Sequence, residues 1–227
     1  MNVILLAGLG RIVVGFSLAG SVAWQVSDRI VDGYFRPGEY FAYFSIVSAV
    51  AAAVILIASG VQRLRGTPES PVMAILRLTA AASMIVVAVV YHALIGDAAV
   101  NPLDIGYEWP VVPNLVIHTW APIAITLDYL LSTHGRALRV RQAFWVAVFP
   151  LVWLAFSVVR GLIDGWWPYW FIDPNGEGGV GGMLAYVLAI ASFFVALGLV
   201  LIALNLGVRR LVRRFAARQS SETKVQA

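Results

Sequence analysis

Six long apolar stretches, joined by short polar segments that are acidic and arginine-rich by turns, govern what this chain can become. A bilayer core about 30 Å thick is crossed by about 20 apolar helical residues. The windows 4–25, 40–62, 72–95, 111–131, 143–163 and 180–208 each reach that length and together take up most of the 227 residues. Hydrophobic residues make up 60% of the chain and charged ones 12%, too little charge to clothe a water-soluble surface. In lipid, every backbone donor and acceptor has to be satisfied within the spanning segment, which selects helices. The runs are continuously apolar and lack the alternation of a barrel strand. The sequence therefore predicts an all-α, polytopic membrane protein: one bundle of six transmembrane helices within residues 1–208, then a basic, partly disordered tail over 209–227.

The polar segments predict an orientation. Arg63 and Arg65 follow the second stretch, Arg136, Arg139 and Arg141 the fourth, and Arg209, Arg210, Arg213, Arg214, Arg218 and Lys224 the sixth. Such ends stay in the cytoplasm. The intervening loops carry Asp28, Asp32 and Glu39, then Asp97, Asp104 and Glu108, then Asp164, Asp173 and Glu177, against only Arg29, Arg36 and Arg160. They are expected to face outward, with both termini cytoplasmic, in a multi-pass protein of the plasma membrane. The net charge of +4 is accounted for by membrane flanks, so membrane lipids and not nucleic acids are the expected partners.

The first stretch has no basic leader and contains Arg11, so it reads as a retained helix and not a cleaved signal peptide. The absence of cysteine removes disulfides and thiolate chemistry. Basic residues that are almost all arginine point to a bacterial source. Gly8, Gly15, Ala19 and Gly20 give the first helix a small face for close packing. Pro122 and Pro150 each remove a backbone donor inside a helix and predict a kink. Trp109, Trp166, Trp167, Tyr169 and Trp170 are expected to form an interfacial aromatic belt, and His134 to be solvated.

Ionisable groups at membrane depth are costly, so each needs a partner or a task. Counted at about 1.5 Å per residue, Arg11, Arg77 and Asp128 fall in the cytoplasmic half. Asp128 is expected to pair with Arg77, Arg11 or both; a proton path through Asp128 is the alternative. Ser45, His92 and His118 fall in the outer half, on three different helices. Asn114 and His118 share a helix face at a spacing of four, and Ser45 and Ser48 nearly do at three. A hydroxyl beside an imidazole is the minimum for nucleophilic acyl transfer, because the ring takes the hydroxyl proton during attack and returns it to the leaving alcohol. Asn114 or Tyr91 can orient the ring. The plainer account is that Ser45 bonds its own helix backbone and His118 is a structural donor.

The runs Tyr40–Ser48, Asn114–Pro122 with Asp128 and Tyr129 beyond it, and Trp167–Asp173 resemble the androgen-induced and androgen-dependent (ADTRP-like) integral membrane proteins and their bacterial six-helix relatives. The resemblance covers nearly the whole chain in helix number and motif order. Animal members of that family are regarded as hydrolases of fatty acid esters of hydroxy fatty acids, with a threonine on the second helix and a histidine on the fourth. The resemblance implies those catalytic roles for Ser45 and His118; Asn114, His92, Tyr91 and Ser48, from their places on the neighbouring helix faces, are expected in support. Serine here replaces the threonine, and Tyr129 stands where tryptophan is expected in bacterial relatives. Thr119, His92 and Tyr43 are candidate oxyanion donors. No metal and no cofactor is expected on this reading. The alternatives are a non-catalytic membrane scaffold or small-molecule transporter, and a haem held between His92 and His118.

Overall fold

A computed structural model of the protein describes residues 3–95, 102–133, 135–176 and 178–225. His134, Asp97 and Glu177 lie outside the described residues. Six helices are long and apolar enough to cross a membrane: α1 (Val3–Val31), α2 (Phe44–Leu64), α3 (Pro71–Ile95), α4 (Val111–Leu131), α5 (Val140–Asp164) and α6 (Gly179–Val225). No strand occurs among the described residues.

Local chemistry sets the helix ends. The Ser70 hydroxyl accepts the Met73 N–H at 3.1 Å and Pro71 opens α3, a side-chain cap followed by a residue with no donor to satisfy. Gly165, at φ 74°, closes α5 in the left-handed conformation that glycine adopts without strain. The sixth helix continues through the arginine-rich segment to Val225, where the sequence pattern predicts a partly disordered tail. From Val208 to Val225 there is no glycine or proline to stop it, and most residues are good helix formers.

Antiparallel packing follows from small residues. A Cβ on Gly60 would fall 2.7 Å from the Gly8 carbonyl oxygen, and one on Gly15 would fall 2.7 Å from Ile57 and 3.0 Å from the Ala53 carbonyl. The α1 and α2 backbones touch there, as membrane helices do when side chains are minimal. The small face ends at Gly15: Ala19 and Gly20 are exposed, and a Cβ on Gly20 would meet nothing within 4 Å. Alanines at 49, 52, 53, 80, 81 and 82 continue the close packing into the contacts of α2 and α3. Large apolar side chains such as Val13, Phe16, Val54, Leu162 and Ile163 point outward, the surface that lipid would cover.

The arginine-rich end of the bundle is tied by charge. Asp128 accepts from Arg11 Nε at 2.9 Å and from Arg77 Nη2 at 2.6 Å, so it pairs with both arginines. Arg77 also reaches Glu69 at 2.7 Å. The carbonyls at the end of α4, which have no helical partner, and those just beyond it are met by α6: Asn205 donates to the oxygens of Tyr129 and Leu130, and Arg209 to those of Ser132, Thr133 and Gly135.

At the opposite end, α5 leans on α2 through Phe149 and Trp153, whose rings lie 5.7 and 5.1 Å from Phe44. Its first turns, Val140–Ala147, are a 3-10 helix, and Pro150 sits just inside the α-helical part that follows. A gap remains between α5 and the α3–α4 pair, and this gap is the site.

Candidate functional site

The gap is a cavity of about 760 Å³ at the acidic-loop end of the bundle. Its lining includes Ser45 from α2, Tyr91 from α3, and Asn114 and His118 from α4. Apolar side chains such as Phe44, Val86, Val87, Leu151, Leu154 and Phe194 form much of the rest. Ser48 does not line it; its hydroxyl is buried without a hydrogen-bond partner. Three residues advance a helix by about 300°, which leaves Ser48 about 60° round the helix from Ser45. His92 is also outside the lining and exposed.

Both α3 and α4 widen into π turns at this level, Tyr91–Ile95 and Val116–Trp120. In α4 the cause is local, because the Pro122 ring would collide with the carbonyl four residues back and offers no N–H to it. Such bulges re-aim side chains and recur at functional sites. The two turns face each other. Asn114 Nδ2 donates to the Tyr91 hydroxyl at 2.7 Å, His92 Nε2 lies 3.1 Å from the Thr119 hydroxyl, and the Tyr91 ring stacks on His118 at 4.0 Å and 22°.

The orienting partner of His118 is a backbone group. Its Nδ1 lies 3.0 Å from the Asn114 carbonyl oxygen. A carbonyl only accepts, so Nδ1 carries a proton, and in the neutral ring Nε2 then keeps its lone pair. The side chains of Asn114 and Tyr91, the two expected orienters, bond each other instead. His118 is buried, and among the described residues no hydrogen bond joins it to Ser45.

Tyr169 is the residue that sequence reasoning missed. The Ser45 backbone N–H donates to its hydroxyl oxygen at 3.4 Å. Burial raises this phenol to about 12, against hydrogen bonding from Ser45, so it remains a protonated donor across the physiological range. The whole segment Trp166–Trp170 lines the cavity, as does Trp109, so these aromatics are cavity wall. Two contacts fold the segment inward. The Trp167 ring sits where a Cβ on Gly161 would be, at 2.5 Å, and Arg160 stacks on Trp166 at 4.4 Å while donating to the Gly38 carbonyl. The run of aromatics beside Gly161 was the available signal, but only tertiary contact shows which way it folds.

The acidic-loop rim of the cavity is charged. Arg29, expected as a loop charge, is buried between the rings of Tyr107 and Trp109, 4.6 Å from each, and pairs with Asp104. Arg36 joins the same carboxylate at 2.6 Å. Gln25 lines the cavity and is fully buried; its Oε1 accepts from Tyr40 at 2.9 Å, while its Nε2 has no partner. The indole nitrogens of Trp166 and Trp167 are likewise unpartnered. The cavity lining is thus apolar with a surplus of hydrogen-bond donors.

A haem between His92 and His118 does not fit this arrangement. The Tyr91 ring contacts both imidazoles, edge-on to His92 at 5.1 Å, and the Nε2 that would ligate iron from His92 is held by Thr119. No group of three or more metal-ligating side chains occurs among the described residues. Of the expected oxyanion donors, Thr119 and His92 engage each other away from the cavity, and Tyr43 lines it.

Comparison with family models, curated proteins and solved structures finds no match to this chain.

Proposed function

We propose that the protein is an integral membrane hydrolase of lipid esters, with Ser45 as nucleophile and His118 as base. The arginine-rich ends face the cytoplasm of the plasma membrane, and the cavity opens in the outer leaflet. The observation that carries the reading is that Ser45 and His118 line one largely apolar cavity, with His118 Nδ1 directed at the Asn114 carbonyl, the arrangement that leaves Nε2 of the neutral ring to act as base. The resemblance to the androgen-induced and androgen-dependent family supports it from the sequence side.

In this reading a fatty ester enters with its chains among the apolar walls. The Ser45 oxygen attacks the ester carbon as its proton passes to His118 Nε2. Collapse of the tetrahedral intermediate expels the alcohol, which takes that proton. Water, deprotonated by the same nitrogen, then releases the fatty acid and restores serine. Tyr169, protonated and next to Ser45, is the side chain best able to donate to the oxyanion.

One observation favours a second reading, that of a lipid-binding or transport protein without chemistry: the missing hydrogen bond between Ser45 and His118. Catalytic contacts do tighten on substrate binding in many enzymes. A fluorophosphonate probe and a model fatty ester decide between them. Labelling and turnover that vanish in Ser45→Ala and His118→Ala, at unchanged melting temperature, establish the hydrolase. Bound lipid with equal labelling in wild type and Ser45→Ala establishes the binding protein.

A further inference from the structure

The arginine-rich end holds a second cavity, of about 450 Å³, between the start of α1, the end of α2, the α2–α3 connection and the end of α4. Its chemistry follows from which polar groups are already engaged. Asp128 accepts from Arg11 and Arg77 through its two oxygens, and Glu69 accepts from Arg77 and from the Arg136 backbone N–H. Both carboxylates on the wall are therefore satisfied.

The guanidiniums on the same wall are not. Arg11 uses Nε on Asp128 and Nη2 on Ser132, and its Nη1 makes no bond among the described residues. The Arg63 side chain makes neither an ion pair nor a hydrogen bond among the described residues, and its Nε is buried without a partner. Beside them lie Ile4, Leu6 and Leu131, and the exposed Leu5 and Leu9 extend an apolar track along α1. Spare cationic donors, satisfied carboxylates and an adjoining apolar track describe a receptor for an anion carried on hydrocarbon.

We propose that this cavity binds the phosphate group of an anionic phospholipid, with Arg63 and the free face of Arg11 as donors and the acyl chains along the start of α1. Free inorganic phosphate offers the same chemistry without the chains. The site is independent of any activity in the outer cavity.

The test uses full-length protein, stripped of lipid in neutral detergent, and its melting temperature. Phosphatidylglycerol is expected to raise it more than phosphatidylcholine, whose quaternary ammonium opposes the two guanidiniums. Arg63→Gln is expected to remove at least half of that shift, whereas Arg210→Gln, on the exposed part of α6, leaves it intact. A shift from inorganic phosphate equal to that from phosphatidylglycerol would support the phosphate site and transfer it from lipid to free ion. Equal shifts with both lipids, or equal losses in Arg63→Gln and Arg210→Gln, would overturn it. Should Arg63→Gln not fold, native mass spectrometry of the wild type decides: preferential retention of phosphatidylglycerol supports the site, and no preference removes it.

Discussion

The imidazole of His118 lies on the phenol ring of Tyr91, centroids 4.0 Å apart and 22° from parallel. Tyr91 thereby does two jobs, holding the ring plane by stacking and holding α4 through its hydroxyl, which accepts from Asn114. The two can be separated. Tyr91→Phe keeps the stack and is expected to cost about 0.5–1.5 kcal/mol for the lost hydrogen bond. Tyr91→Leu removes the stack as well and is expected to cost about 0.5–1.5 kcal/mol more. Melting curves of the two variants in the same detergent measure the difference.

Gly161 is the seat of Trp167, and a methyl group there would overlap the indole at 2.5 Å. Gly161→Ala is therefore expected to push the Trp166–Trp170 segment off the cavity while leaving the six helices in place. Far-ultraviolet dichroism should be unchanged. Tryptophan fluorescence should shift as the half-buried indoles of Trp166 and Trp167 meet solvent, and lipid probe binding in the cavity beside Ser45 should weaken.

The helices and the charge network at the arginine-rich end were legible because lipid allows few alternatives. Twenty apolar residues must be helical, and Asp128 at membrane depth must find cations, of which Arg11 and Arg77 are the two at its level. Depth counting also brought Ser45 and His118 to one stratum, and both line one cavity. What the sequence could not carry was direction within that stratum. Ser48 is one small rotation from Ser45 and points elsewhere. The π turns that re-aim Tyr91 and His118 leave no compositional mark beyond Pro122. Tyr169 reaches Ser45 from 124 positions away through a loop whose fold depends on a glycine in another helix. Arg29 looked like a loop charge because nothing local announces that Tyr107, Trp109 and Asp104 will enclose it.

Tyr169 gives a pH-dependent signature. Its phenol is raised from 10.0 to about 12, first by burial, so the folded protein holds this proton more tightly than the unfolded chain does. The associated stability is complete below pH 10, falls as the unfolded phenol ionises, and is gone above the folded value of about 12. Wild type should therefore lose melting temperature relative to Tyr169→Phe between those limits and run parallel to it below them. If the phenol also donates to an oxyanion, Tyr169→Phe should lower ester turnover about 100-fold to 1000-fold at neutral pH. A variant that melts as expected but turns over ester at the wild-type rate would leave the oxyanion role to another group.

Asp128 is the keystone of the network at the arginine-rich end, and its removal separates a structural charge from a proton carrier. Arg11 and Arg77 are only 6% and 4% exposed, so without the carboxylate two guanidiniums face each other at membrane depth. Asp128→Asn is expected to destabilise the bundle by about 3–5 kcal/mol, as when one partner of a buried pair is removed. Pairing it with Arg11→Met should recover part of that loss, since one unpaired cation goes with the anion; the coupling in this double-mutant cycle is the measurement. A proton carrier behaves differently. Its replacement would abolish proton flux in liposomes with little change in stability, and no second substitution at Arg11 would restore it.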